Sequence, residues 1–224
     1  MIRVLIADDE ALVRSGLRLI LESSGGISVI AEARDGAEAV GSAIRLRPDI
    51  VLMDVRMPGT DGLAAAAQLT ALPDPPRIIM LTTFDADEYI HQALRLGAVG
   101  FLLKDIPPRD LIAAIHTVAD DNAILSPAVT KKLLTSFTTR PPSTAARRRL
   151  ARLTPRETDV IRSLAQGQSN AEIARRLSLT EPTVKAHVSH ILDKLALTNR
   201  VQAALLVHDA NLRWPPSNWH IPPN

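Results

Sequence analysis

Asp8, Asp9, Asp54, Thr82 and Lys104 each stand where a short apolar run stops. Val4-Leu5-Ile6-Ala7 precedes the two acids. Ile50-Val51-Leu52-Met53 precedes Asp54, Ile78-Ile79-Met80-Leu81 precedes Thr82, and Phe101-Leu102-Leu103 precedes Lys104. If three carboxylates share one crevice, they repel and raise one another's pKa. A hard cation relieves that conflict. Mg²⁺ (or Mn²⁺) binds through a few carboxylate oxygens and keeps waters that phosphate oxygens can replace. The lysine ammonium and the threonine hydroxyl are natural partners for those phosphate oxygens. The set suits an aspartyl phosphate, with Asp54 as the carboxylate nucleophile. Alternation along a strand points only one of Thr82 and Thr83 to the site, and the residues alone leave that choice open. Any one of these side chains alone would be a cap or a solvated charge; the signal is their joint occurrence at strand ends.

Strands must deliver those residues to one edge. Runs at 3–8, 27–33, 50–54, 77–82 and 99–104 read as strands, and helical patterns follow them. Leu12, Val13, Leu17, Ile20 and Leu21 recur at helical spacing, as do Ala37, Val40, Ala43 and Ile44. Asp61 is placed to cap a helix over 61–72, a further helix spans 85–96, and Pro107-Pro108 opens another. The strand–helix alternation predicts an α/β domain, a flavodoxin-like doubly wound five-stranded parallel sheet of order 2-1-3-4-5. Its first and third strands are then neighbours, so Asp8, Asp9 and Asp54 meet at the switch point where such sheets bind ligands.

Charge divides the chain. Residues 1–139 hold 13 Lys and Arg against 18 Asp and Glu, a balance of −5, whereas residues 140–224 hold 13 against 6, a balance of +7. The basic half is the candidate for nucleic acid. Hydrophobic residues are 46% of the chain, enough for sizeable cores. No apolar run approaches the length of about 18 residues that spans a membrane. The N-terminus enters a strand directly and cysteine is absent, which predicts a cytoplasmic protein outside any membrane.

The second half reads as a small all-α domain. Thr154-Pro155-Arg156-Glu157 is a capping box with Pro in the first turn. Ser169-Asn170-Ala171-Glu172 opens a second helix, and Thr180-Glu181-Pro182 a third. Their connection, Ser178-Leu179-Thr180, is the short turn of a helix-turn-helix. The third helix buries Val184, Val188, Ile191 and Leu195, leaving Thr183, Lys185, Ala186, His187, Ser189 and His190 on or beside the open side. Thr180, Thr183, His187 and Arg200 are placed for phosphate, which positions a duplex without specifying its sequence. The expected division is a first domain over 1–120, a short helix after Ser126-Pro127 and a linker within 121–149, the DNA-binding domain over 150–212, and a tail over 213–224. Arg147-Arg148-Arg149 falls in the linker as a solvated charge run.

The first domain resembles the receiver domain of two-component response regulators. The resemblance rests on Asp8-Asp9, Asp54, Met57-Pro58-Gly59, Thr82 and Gly97-Ala98-x-Gly100-Phe101-Leu102-Leu103-Lys104. It implies that Asp54 takes a phosphoryl group from a sensor histidine kinase, that Asp8, Asp9 and Asp54 hold Mg²⁺, and that Thr82 and Lys104 contact the phosphoryl group. It favours Thr82 over Thr83 and gives Phe101 the place of the switch aromatic. It also implies that side chains at Arg56 and Phe84 influence phosphoryl lifetime; bulky Phe84 is expected to slow hydrolysis. The second domain is similar to the LuxR/NarL-type helix-turn-helix, through Leu153-Thr-Pro-Arg-Glu157, Gly167-x-Ser-Asn-Ala-Glu-Ile-Ala174, Thr183-Val-Lys-x-His187 and Lys194-Leu195. By this resemblance Lys185, Ala186 and Ser189 face base edges. The implied protein is a transcription factor, not an enzyme beyond phosphoryl transfer to and from its own Asp54. Its partners are the kinase, double-stranded promoter DNA, a second copy of the chain and RNA polymerase. The rival expectation is a phosphorylation-independent DNA-binding regulator that uses the receiver for dimerisation.

Overall fold

Strands without a polar face must be buried on both sides, and those of the first half meet that condition within one sheet. The computed structural model describes residues 1–83, 87–120, 122–125 and 143–210. Two units divide between Thr135 and Ser136. Strands β1 (Ile2–Ala7), β2 (Ile27–Ala33), β3 (Ile50–Asp54), β4 (Arg77–Thr82), β5 (Gly100–Leu103) and β6 (Ile124–Leu125) lie in the order β2-β1-β3-β4-β5-β6. Every neighbouring pair is parallel. The expected order 2-1-3-4-5 is present. A sixth strand of two residues extends it beyond residue 120, where the first domain was expected to end. So short a strand has no periodicity to read.

Helices α1 (Ala11–Glu22), α2 (Gly36–Leu46), α3 (Gly62–Thr70), α4 (Asp87–Arg95) and α5 (Pro108–Ala119) connect the strands. The core joins β1, β3 and β4 to α5 through Ile6, Leu52, Leu81, Leu111 and Ile115. Two helical faces differ from expectation. Leu12 is 86% exposed and Ile44 56% exposed. On α2 the buried side is the small one, with Gly36, Ala39, Ser42 and Ala43, because the helix start lies against Thr60. Ile44 sits on its flank. Asp61 caps α3 as expected, accepting from the Ala64 amide at 2.7 Å.

The second unit holds α6 (Thr144–Leu150), α7 (Pro155–Ala165), α8 (Asn170–Leu177), α9 (Glu181–Leu195) and α10 (Arg200–Asp209). Val160, Ile161, Leu164, Ile173, Val184, Ile191 and Leu195 form its core. Both capping boxes form, Thr154 with Glu157 and Ser169 with Glu172. Ser178 ends α8 in the left-handed region and Thr180 caps α9.

Residues 144–149, expected in the linker, instead belong to α6. Ser143 caps it, and Ala146 and Leu150 enter the core. Arg147 Nε donates to the Ala210 carbonyl at 3.0 Å, and Arg149 donates to the Leu195 carbonyl. Both arginines meet carbonyls at helix C-termini, where cations are favoured. Phe84, the helix after Ser126-Pro127, the Pro141-Pro142 linker and the tail from Arg213 lie outside the described residues.

Candidate functional site

The parallel register brings the polar strand ends to one edge. Ala7 pairs with Met53, Asp54 with Leu81, and Thr82 with Leu103. Asp8 and Lys104 follow directly in sequence. The loop after β3 folds tightly back on Asp54. The Gly62 amide donates to the Val55 carbonyl at 3.1 Å, and a Cβ at Gly62 would lie 1.9 Å from the Asp54 carbonyl oxygen. Only glycine fits there.

Lys104 Nζ lies 2.8 Å from Asp54 Oδ2 and 2.8 Å from Asp8 Oδ2, with Glu10 Oε1 at 3.9 Å. Asp8 is fully buried and Asp54 is 6% exposed. Burial pushes the Asp54 carboxyl above its usual range; the hydrogen bond and charge of Lys104 oppose this, and the Asp8 charge adds to it. Burial opposes charge on Lys104 too, but Asp54 and Asp8 outweigh it and the ammonium pKa rises. Thr82 is buried, its hydroxyl donating to the Thr83 carbonyl at 3.1 Å, and Thr83 is exposed. Phe101 is fully buried on β5 beside Met80 of β4.

The acidic residues fit a hard cation. Asp8, Asp9 and Glu10 each place a carboxylate oxygen within 4.8 Å of the others. Asp8 Oδ2 is buried, and the partner it meets among the described residues is the Lys104 ammonium at 2.8 Å, which it shares with Asp54. A buried carboxylate oxygen in that condition is a natural ligand. Glu10 joins Asp8 and Asp9 of the expected set, and Asp54 lies on the other side of Lys104. Lys104 Nζ bridges Asp54 and Asp8. Glu10 follows the pair directly, but no strand end marks it. Beside these residues a cavity of about 390 Å³ is lined by Asp9, Arg56, Met57, Asp61 and Tyr89 among others. The Arg56 amide donates to Asp54 Oδ1 at 3.4 Å, and its guanidinium lies 5.5 Å from the Tyr89 ring centre.

In the second unit α8 and α9 form the helix-turn-helix. Thr180 accepts from the Thr183 amide at 3.3 Å, and the two hydroxyls are 2.7 Å apart. Lys185, Ala186 and Ser189 are exposed along α9, and His187 is half-buried. The Ser189 hydroxyl donates back to the Lys185 carbonyl at 3.2 Å, which leaves it an acceptor towards solvent. Arg200 is half-buried at the start of α10. Its guanidinium is drawn inward to the Gln168 carbonyl at 2.6 Å, and burial lowers its pKa. It ties α10 to the α7–α8 connection.

Glu157 does more than cap α7. Its carboxylate also takes Lys194 Nζ at 2.7 Å on each oxygen, besides the Thr154 amide at 2.8 Å and hydroxyl at 3.0 Å. Lys194 foremost, then the Thr154 amide, holds its pKa down to about 2.

Comparison with known proteins places both units. Residues 4–116 match the family described as "Response regulator receiver domain". Residues 151–207 match "Bacterial regulatory proteins, luxR family". The chain is 38% identical over 209 residues to the nitrate/nitrite response regulator protein NarL of Escherichia coli K12, covering 93% of this chain and 96% of that protein. The crystal structure of the response regulator ChrA of a heme-sensing two-component system aligns at 35% identity and TM-score 0.53, covering 95% of this chain and 98% of that one. The structure of a two-component response regulator RcsB–DNA complex aligns at 25% identity and TM-score 0.56, covering 91% and 97%.

Proposed function

Because the chain belongs to the response regulators that carry a LuxR-type DNA-binding domain, we propose that it is a cytoplasmic transcription factor whose promoter binding is set by phosphorylation of Asp54. The observation that carries this reading is Lys104 held between Asp54 and Asp8 at the carboxyl edge of the sheet.

The donor is the phosphohistidine of a sensor histidine kinase. An Asp54 carboxylate oxygen attacks phosphorus, the P–N bond breaks, and the imidazole leaves with its electron pair. Asp8, Asp9 and Asp54, with Glu10 beside them, would hold Mg²⁺ or Mn²⁺, which supplies neutralising charge to the phosphoryl oxygens. Lys104 follows the new negative charge from the carboxylate to the phosphoryl group. Thr82 turns its hydroxyl from the Thr83 carbonyl to the same group, and Phe101 repacks behind it. Hydrolysis returns the carboxylate: water attacks phosphorus and the P–O bond to Asp54 breaks.

The output is DNA. Helix α9 enters the major groove, with Lys185, Ala186 and Ser189 towards base edges and Thr180, Thr183 and His187 towards phosphates. A second copy of the chain on the adjacent half-site gives a two-fold complex on an inverted repeat, and RNA polymerase is its downstream partner. DNA affinity of wild type and Asp54→Ala, each with and without a small phosphodonor, tests the reading. Phosphodonor should tighten binding by wild type alone. Equal affinity in all four arms would favour a phosphorylation-independent regulator.

A further inference from the structure

Three carboxylates within 4.8 Å of one another will separate unless their backbone is held. The usual anchor of such a loop, a side-chain cap on the following helix, is missing. Glu10 occupies the N-cap of α1 without capping it. Two contacts hold the segment from inside: the Asp8 amide donates to the Ala33 carbonyl at 3.1 Å, and the Glu10 amide to Asp8 Oδ1 at 3.0 Å.

The third contact comes from Arg14, one turn into α1. Its Nη1 donates to the Asp8 carbonyl at 2.8 Å and to the Asp9 carbonyl at 3.3 Å. Its Nε donates to Glu32 Oε2 on β2 at 3.2 Å. The other Glu32 oxygen takes Arg18 Nε at 2.7 Å, and Arg18 also donates to the Val29 carbonyl at 3.0 Å. Arg14 is thus gripped by a ladder that ends on the sheet, and it pins the peptides that carry two of the acids. A cation cannot ligate a cation, so its contribution is geometric. A planar guanidinium makes these bonds at once; an ammonium lacks that fork.

We propose that Arg14, oriented by Glu32, is the positioning residue of the divalent-cation site. It preorganises Asp8, Asp9 and Glu10 so that the ion need not order them. The proposal rests on reading the acidic pocket as a cation site.

The test is titration of the full chain with Mn²⁺, free ion being read by electron paramagnetic resonance. Arg14→Met should weaken binding about ten-fold, the lower end for loss of an outer-shell partner. The metal concentration for half-maximal phosphorylation by a small phosphodonor should rise by the same factor. Arg14→Lys should recover part of the loss. Glu32→Gln should weaken binding about three-fold, since Arg14 keeps its carbonyls but loses its anchor; it decides the matter if Arg14→Met does not fold. A merely structural Arg14 would lower the unfolding temperature and leave the folded protein's Mn²⁺ affinity at wild type. That result, with wild-type affinity in Glu32→Gln, would overturn the proposal. Wild type that takes up no Mn²⁺ would instead overturn the cation site itself, and this inference with it.

Discussion

Each unit contains a lysine against a buried carboxylate, and the two pairs are built to opposite ends. In the second unit Glu157 accepts from Lys194, the Thr154 amide and the Thr154 hydroxyl, and its pKa falls to about 2. In the first unit one ammonium is shared by two buried carboxylates, and burial pushes the Asp54 pKa up. The same chemistry is satisfied in one place and left wanting in the other. A satisfied carboxylate is inert and holds helices together. An under-satisfied one gains from a new cation or phosphoryl group, so its local cost to folding is the source of its reactivity.

The comparison breaks most sharply on isosteric amides. Asp54→Asn should abolish phosphoryl incorporation from a small phosphodonor, because the nucleophilic oxygen is gone. It should also stabilise the first unit by about 1 kcal/mol, since it removes a buried like charge facing Asp8 while Lys104 keeps a partner. Native-state hydrogen exchange reads the units separately and checks the sign. A destabilised first unit would show that the pocket is as well satisfied as its counterpart.

Glu157→Gln should go the other way, costing the second unit about 2 kcal/mol. Breaking a buried pair usually costs more, but Lys194 is 39% exposed and solvent screens it. Phosphorylation of Asp54 should be unaffected. Acid titration sharpens the same point. The folded pKa of Glu157 is depressed from 4.5 to about 2. Its contribution is therefore complete above pH 4.5 and is lost as pH falls from there to about 2. Exchange rates in α7 and α9 should rise across that window in wild type. In Glu157→Gln this group's share of the slope should vanish.

How visible these sites are in sequence follows from the range of their contacts. Asp8, Asp54, Thr82 and Lys104 were legible because an apolar strand ends at each, and parallel strands align their ends. The caps by Asp61, Thr154 and Ser169 were legible because a cap and its helix lie within four residues. Lys194 reaches Glu157 from 37 residues away, with no local pattern to join them. Arg14 curls back from α1 onto peptide oxygens, which carry no sequence signature at all. Arg200 donates to the Gln168 carbonyl from 32 residues away, again with no local pattern to announce the contact. Helix α6 was hidden because its apolar face is only Ala146 and Leu150 beside three arginines.

Those three arginines give the smallest and most local test. A solvated charge run would make Arg147, Arg148 and Arg149 interchangeable. In the fold they are not. Arg149 reaches the Leu195 carbonyl at the end of α9, Arg147 the Ala210 carbonyl beyond α10, and Arg148 is exposed. Helix-end carbonyls have no partner within their own helix, so a charged donor there satisfies a bond and opposes the macrodipole. Arg149→Met should therefore cost the second unit about 1 kcal/mol, since the site is half-buried. Arg147→Met, at an exposed site, should cost about 0.5 kcal/mol, and Arg148→Met should stay within about 0.5 kcal/mol of wild type in either direction. Hydrogen exchange at the C-terminal turns of α9 and α10 distinguishes the first two, because each cap protects a different helix end. Equal effects from all three would return the run to a surface charge. A loss confined to Arg149 and Arg147 would make α6 a structural part of the DNA-binding unit, joined to it by the same rule that keeps Glu157 quiet: a charge fully matched within its own fold.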